Sequence, residues 1–486
     1  MSKNKITPSL RSPSPKSGGA GTKRQTKEYL ALIEAKRPAV DTFGFDPSPM
    51  NAAMKPHQLH ATEFALRQGR AALFLDTGLG KSFCAHEWGR QVVEKTGKPV
   101  LLLAPLAVSA QHEREGQKFG IDVKAIREPM EVRGARIYVT NYDRLEKFDP
   151  GAFGGVILDE SSILKSFNSK TTKALTEGFA RTPYRLACTA TPAPNDHMEL
   201  GTHSEFLGVM RQNMMLQRWF IHDSMDTGTW RMKGHAVDDF WSWVASWSRC
   251  ISKPSDIGFS DDGYALPELD VRRHVIAADR NIDAGAEKDG QGHLFRMPDT
   301  SATSIHREKR MTTDARSDAI AEIVGSSDEA WVVWCDTDYE ADALASRLPD
   351  AVEVRGSMSA DEKERGLVAF STGQVRVIIT KPSIAGFGLN WQHCARMAFV
   401  GLSFSYENYY QAIRRCWRFG QTRPVQVHIA CADTEENIWQ TVSRKADDHD
   451  TMKRAMSMAM ARAVKRAAVE TYKPTKTLSL PTWMTS

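Results

Sequence analysis

The stretch AALFLDTGLGKS, Ala71 to Ser82, decides the fold. Its first five residues are a continuous apolar run closed by an acid, the pattern of a strand buried on both faces. The next seven, Asp76-Thr77-Gly78-Leu79-Gly80-Lys81-Ser82, form a glycine-bearing turn that leads into a helical pattern. Gly78 and Gly80 let backbone N–H groups curl round a phosphate, and Lys81 can reach its outer oxygens. Ser82 can ligate Mg²⁺, and the helix N-terminus adds its positive dipole end. The full G-x-x-x-x-G-K-[ST] pattern is not met, because Leu75 stands where the first glycine would be. A glycine-rich turn beside a surface lysine is therefore the plain alternative, and the strand–loop–helix setting favours the phosphate site.

Working outward, similar apolar runs recur. VLLLA (100–104), RIYVT (136–140), GVILD (155–159) and YRLACT (184–189) follow the first, separated by helical patterns. A second series comprises AWVVWC (330–335), AVEVRG (351–356), VRVIIT (375–380), RMAFVG (396–401) and VQVHIA (425–430). Such alternation predicts two α/β halves with parallel sheets. Between them, residues 210–262 carry Trp219, Trp230, Trp241, Trp243 and Trp247, a change of texture that reads as a helical insert. Aromatics of this kind serve either as a base-stacking platform or as the core of a small unit, and core packing is the expected use.

The strand GVILD ends in Asp159, and Glu160 follows. An Asp at the carboxyl end of a buried parallel strand is where a P-loop enzyme holds Mg²⁺, and a neighbouring carboxylate can polarise the attacking water. Any strand can end in acids, but this pair lies 78 residues after Lys81 with two strands between.

These two elements resemble motifs I and II of a superfamily 2 helicase. MKPHQLHATEF places Gln58 where that family reads the adenine edge; LLLAPLAVSAQHERE (101–115) and VTNYDRL (139–145) resemble its motifs Ia and Ib. CTATPAPNDHMEL (188–200) resembles motif III through Thr189-Ala190-Thr191, and AWVVWCDTDYEADAL resembles motif IV. GFGLNWQ (386–392), with Gly388, resembles motif V. QAIRRCWRFGQTRPVQVH (411–428) resembles motif VI. Its Gln411, Arg415 and Arg418 are spaced i, i+4 and i+7, which on a helix puts all three on one face. The two arginines could then meet a γ-phosphate as arginine fingers. DESS in place of DEAD, Gln411 in place of histidine, and the GLNWQ stretch are similar to the Swi/Snf-type branch, in particular its compact bacterial or bacteriophage members. The sequence departs from that pattern at Thr77, at DESS and at Arg414, where the family commonly has glycine.

The resemblance implies two RecA-like parallel-sheet lobes of a P-loop NTPase, with a helical Trp-rich insert and a disordered basic N-terminus. Expected boundaries are 1–50 for the tail, 51–209 for lobe 1, 210–265 for the insert, 266–440 for lobe 2 and 441–486 for a C-terminal helix and tail. It implies an ATPase using ATP and Mg²⁺. Gln58, Thr77, Gly78, Leu79, Gly80, Lys81, Ser82 and Gly388 would bind nucleotide, and Ser82 and Asp159 would hold the metal. Lys81, Asp159, Glu160, Gln411, Arg415 and Arg418 would be catalytic. The expected work is translocation on DNA, duplex favoured. The rivals are a strand-separating RNA or forked-DNA helicase and an ATP-gated clamp.

Composition narrows the class. The 486 residues are 41% apolar, enough for at least two cores without staples. Seven cysteines lie singly at 84, 188, 250, 335, 394, 416 and 431, which fits a reducing compartment and neither a disulfide framework nor a zinc site. With no long apolar run or secretory leader, no membrane is expected, and the cytoplasm of a bacterial or phage-infected cell is the expected location. The net charge is +5, yet residues 1–50 and 441–486 each carry nine Lys/Arg against four Asp/Glu. Basic ends on an acidic body suit a polyanion, or merely solubilise. Any nuclease, replication or repair activity would come from a protein partner. His86, His112, His393 and His428 show no ligand spacing and read as ordinary. Met452, Met456 and Met460 form an i, i+4 stripe expected to pack on lobe 2.

Overall fold

A computed structural model describes residues 42–105, 108–222, 230–278, 302–385 and 390–465. The chain divides into Met1–Ala39 and Val40–Ser486, and every described residue lies in the second unit. Residues 1–41 of the expected disordered tail, Gly388 and residues beyond 465 lie outside the described residues. Residues 42–50 correct that expectation: Phe43 N and Phe45 N donate to Gln68 O and Leu66 O at 3.0 Å, which pins this stretch to lobe 1.

The first sheet contains β1 (Arg70–Leu75), β2 (Val100–Ala104), β3 (Val123–Ala125), β4 (Ile137–Asn141), β5 (Gly155–Asp159) and β6 (Tyr184–Cys188). After a two-stranded antiparallel hairpin, β7 (Phe220–His222) and β8 (Trp230–Met232), the sheet is completed by β9 (Ser248–Ile251). Its order is β3-β4-β2-β5-β6-β1-β9, all parallel. The second sheet contains β10 (Leu269–Ile276), β11 (Trp331–Trp334), β12 (Val352–Val354), β13 (Val377–Thr380), β14 (Arg396–Phe399) and β15 (Val425–Ala432). It is also parallel, in the order β10-β15-β14-β11-β13-β12.

Alternate residues of a strand face opposite sides, so a strand apolar at every position must be covered twice. Ala72 and Phe74 of β1 enter one cluster, while Ala71, Leu73 and Leu75 enter another. In β11, Val332 and Trp334 face one cluster and Trp331 and Val333 the other. The fold is the expected α/β architecture of two parallel-sheet lobes, and all ten apolar runs read from the sequence form strands.

The lobes are less separable than the expected boundaries. β9 pairs with β1, so the lobe 1 sheet extends past residue 209 into the Trp-rich segment. Its sequence, Ser-Arg-Cys-Ile, hides a strand because Arg249 is buried by local means. That guanidinium donates to Ala245 O and Ser248 O at 2.9 Å and lies over the Phe64 ring. The tryptophans are core: Trp219, Trp241, Trp243 and Trp247 are buried in the lobe 1 cluster, and Trp247 meets Phe74 edge-on at 6.0 Å.

The methionine stripe corrects its expected placement. Met452, Met456 and Met460 are buried in the lobe 1 cluster, not against lobe 2. The reason is length, since the last helix, Glu436–Lys465, has 30 residues and extends about 45 Å. Near its start, Ile438 and Val442 belong to a lobe 2 cluster. One rigid element is therefore embedded in both lobes.

Candidate functional site

Four helices position the site: α1 (Pro56–Gln68), α2 (Lys81–Thr96), α3 (Ser109–Lys118) and, in lobe 2, α4 (Tyr406–Ile413). The last helix, Glu436–Lys465, is α5. The turn after β1 is closed by Gly78 and Gly80 at φ +92° and +86°, a region that suits glycine. A side chain at Gly80 would also strike Gln58 Nε2, and one at Gly78 would press on Phe419 from lobe 2. α2 starts at Lys81, so its first N–H groups point into the turn.

A cavity of about 250 Å³ opens above this turn. Gln58, Thr77, Gly78, Gly80, Lys81, Ser82, Asp159, Glu160, Arg415 and Arg418 all line it. Residues from both halves of the chain thus meet at one place. Leu79 does not line it: its side chain is buried in lobe 1, and its carbonyl accepts from Gln58 Nε2 at 3.0 Å. Gln58 Oε1 accepts from Lys55 N at 2.9 Å, so this side chain links the start of α1 to the glycine turn.

Lys81 Nζ lies 3.5 Å from Glu160 Oε1. Glu160 has φ +54°, a left-handed conformation rare for a side-chain-bearing residue and typical of functional sites. Thr189 Oγ1 donates to Glu160 Oε2 at 3.1 Å, which ties the segment after β6 to this carboxylate. Burial pushes the Glu160 carboxyl up, and Asp159 adds to this while Lys81 opposes it. Burial pushes on Asp159 in the same sense, but a hydrogen bond and charge from His112 outweigh it and hold Asp159 below its ordinary value. A carboxylate and the Ser82 hydroxyl are the hard oxygen donors that suit Mg²⁺. No group of three or more His, Cys, Asp or Glu that could hold a metal exists among the described residues, so phosphate oxygens and water would complete its shell.

The arginines reach the cavity by a route that differs from the expected single helical face. α4 ends at Ile413, and residues 414–420 turn tightly, with Arg415 N donating to Ala412 O and Cys416 N to Ile413 O. The Arg415 carbonyl accepts from Trp391 N at 3.0 Å, which anchors the turn to the lobe 2 core. Gln411 stays outside the cavity lining and holds Arg415 instead: its carbonyl accepts from Nε at 3.0 Å and its Oε1 from Nη2 at 3.1 Å. Burial, reinforced by Arg418, pulls Arg415 down to about 10, and burial also lowers Arg418. Both remain cations at neutral pH.

Several site residues carried no signal in the sequence. His112 Nε2 lies 3.0 Å from Asp159 Oδ2, and His86 Nε2 lies 2.9 Å from His112 Nδ1, so neither histidine is ordinary. Tyr142 donates to the Asp159 carbonyl at 2.8 Å. At the foot of the phosphate turn, Asp76 is gripped by Arg414 at 3.0 Å and by Lys453 of α5 at 2.9 Å, with the Tyr410 hydroxyl beside them. Asp76 Oδ1 also accepts from Thr77 N at 2.7 Å, so the grip reaches the turn itself. Arg414, the departure from the family's usual glycine, thus pairs with Asp76 in a buried ion cluster. Elsewhere Lys165 of lobe 1 meets Glu407 of lobe 2 at 2.6 Å.

Residues 315–420 match the family described as the helicase conserved C-terminal domain. A protein of Xenopus tropicalis, the SWI/SNF-related matrix-associated actin-dependent regulator of chromatin subfamily A-like protein 1, is 21% identical over 85% of the chain. The chain is similar to superfamily 2 helicases of the Swi/Snf type. It spans 46% of that relative's length. A compact phage protein is also similar: putative protein p41 of Acyrthosiphon pisum secondary endosymbiont phage 1 is 24% identical over 74% of the chain and 88% of its own length. Among solved structures, the Sulfolobus solfataricus SWI2/SNF2 ATPase core in complex with dsDNA covers 87% of the chain at 18% identity, with 97% of its own length matched and a TM-score of 0.41.

Proposed function

We propose that this Swi/Snf-type chain hydrolyses ATP in the cavity between its lobes and uses the cycle to move along duplex DNA. The observation that carries the reading is the meeting of Arg415 and Arg418 with Asp159, Glu160 and Lys81 in one cavity, although Lys81 lies more than 300 residues from either arginine in sequence. Lys81 and the α2 N-terminus would neutralise phosphate, Asp159 and Ser82 would hold Mg²⁺, and Glu160 would take the proton of the attacking water. Bound Mg²⁺ would supply charge neutralisation between phosphate oxygens. Arg415, steadied by Gln411, and Arg418 would stabilise charge that develops only in the transition state. The helicase-domain match and the SWI/SNF-related relative support an ATP-dependent motor associated with DNA. The phage relative is of compact length; the cytoplasm of a bacterial or phage-infected cell is the proposed place of work, and a partner protein would add any nuclease, replication or repair activity.

Both lobes must close for the arginines to act, so nucleic acid bound across them should raise ATP turnover. ATPase measured in parallel with duplex DNA, single-stranded DNA and RNA tests the cofactor. Displacement of a third strand from blunt duplex DNA tests the motor, since it requires translocation and no strand separation. Duplex-stimulated hydrolysis with no displacement would overturn translocation and favour an ATP-gated clamp. Stimulation by RNA alone would favour the strand-separating RNA helicase.

A further inference from the structure

His86, His112 and Asp159 form a buried chain of hydrogen bonds that leads away from the cavity into lobe 1. His112 Nε2 is 3.0 Å from Asp159 Oδ2, and His112 Nδ1 is 2.9 Å from His86 Nε2. His86 is wholly buried and His112 nearly so. His86 sits four residues after Ser82 on α2, His112 sits on α3, and Asp159 ends β5. Three elements are thereby tied to one carboxylate.

The direction of the chain can be worked out. An ionised carboxylate only accepts, so His112 Nε2 carries the hydrogen. The second bond joins His112 Nδ1 to His86 Nε2 and leaves His86 Nδ1 with no hydrogen-bond partner among the described residues. A buried donor without an acceptor is the rarer and costlier arrangement, so His86 Nδ1 is the bare acceptor, and the hydrogen of each bond points towards Asp159.

We propose that His112 is a positioning residue that fixes the rotamer of Asp159, and that His86 fixes the tautomer His112 needs to do so. This deepens the nucleotide-site reading and rests on it. With Oδ2 held by His112, which lines the same cavity, the other carboxylate oxygen is left for a ligand there. Outer hydrogen bonds of this kind typically change metal affinity by about 10–100-fold. α3 also contributes Gln111 and Glu115 to the cavity wall, so a shift of this helix would be felt at Asp159 through one hydrogen bond.

The test uses the full chain loaded with a non-hydrolysable ATP analogue and titrated with Mn²⁺, followed by electron paramagnetic resonance. His112→Asn, too short to reach Asp159, should weaken Mn²⁺ binding by about 10–100-fold. Analogue affinity measured in EDTA should stay at the wild-type value. His112→Gln, whose amide nitrogen can overlay Nε2, should restore most of the loss. His86→Asn, one bond further away, should give a smaller loss in the same direction, and it carries the test if His112→Asn does not fold. Wild-type Mn²⁺ affinity in the folded Asn variants would overturn the proposal, as would an equal loss in EDTA, which marks a purely structural role. Wild-type protein showing no metal-dependent nucleotide binding at all would instead overturn the nucleotide-site reading, and this inference with it.

Discussion

Lys81 and Glu160 face each other across 3.5 Å, yet they should fail differently when replaced. Lys81→Ala removes the cation that meets phosphate in the ground state, so nucleotide affinity should fall along with turnover. Glu160→Gln spares Asp159 and keeps the shape of the site, so ATP should bind at near wild-type affinity and remain unhydrolysed. Equilibrium binding of a fluorescent nucleotide, set beside single-turnover hydrolysis, separates the two. Glu199 offers a pH test. Burial pushes its carboxyl up to about 7, against two hydrogen bonds from Asn195. A raised folded-state value means that stability is full below the ordinary carboxylate range and is lost as pH rises towards 7. The loss is worth about 3 kcal/mol at most. Melting temperature should therefore fall between pH 5 and pH 8 in the wild type and stay flatter in Glu199→Gln; parallel curves would refute the assignment.

At the scale of elements, α5 ties the C-terminal segment to the foot of the phosphate turn. Asp76 is buried, which alone would raise its carboxyl value, but Arg414 and Lys453 hold it well below the usual range. Asp76→Asn would leave two buried cations facing each other without their carboxylate. Such a loss typically costs about 3–5 kcal/mol, readable as a lower denaturant midpoint. Lys453→Met should cost less, because Arg414 still pairs with Asp76. Both variants should also weaken nucleotide binding, since Asp76 holds Thr77 N. The cluster was not legible from spacing: residues 410 and 414 are one helical turn apart, but nothing local links them to 76 or 453. The end of α4 was equally hidden. A 3.6 period over 411–418 describes a helix well, but the Trp391–Arg415 bond to the lobe 2 core turns the chain at 414.

Across the whole molecule, the cavity draws Lys81 from one lobe and Arg415 and Arg418 from the other. Arg418→Ala should reduce nucleic-acid-stimulated ATPase by roughly 10³-fold if it acts as an arginine finger, with little change in ATP affinity, because lobe 1 supplies most ground-state contacts. A proportional loss of affinity would assign Arg418 to ground-state binding instead. The N-terminal tail tests a separate long-range effect. Residues 1–27 hold seven Lys/Arg and no acid, so their deletion should lower DNA affinity and flatten its salt dependence. An unchanged salt slope would remove the tail from the binding surface.

The sequence by itself determined what depends on local order. Runs such as VLLLA and GVILD must be strands covered on both faces, and Gly78-Leu79-Gly80-Lys81-Ser82 must be a turn into a helix. Ten of the expected site residues line the cavity, because the phosphate site they would build calls for fixed residue types at the ends of those strands, whereas Gln111, His112 and Glu115 line it without a signal in the sequence. Only the tertiary structure decided what depends on burial between distant segments. A strand as polar as Ser248–Ile251 forms because β1 offers it an edge and Val244–Trp247 covers it. The methionines of α5 choose lobe 1 because a 30-residue helix reaches that far. His112 meets Asp159, 47 residues away, because buried polar groups must find hydrogen-bond partners and the fold brings α3 to the end of β5.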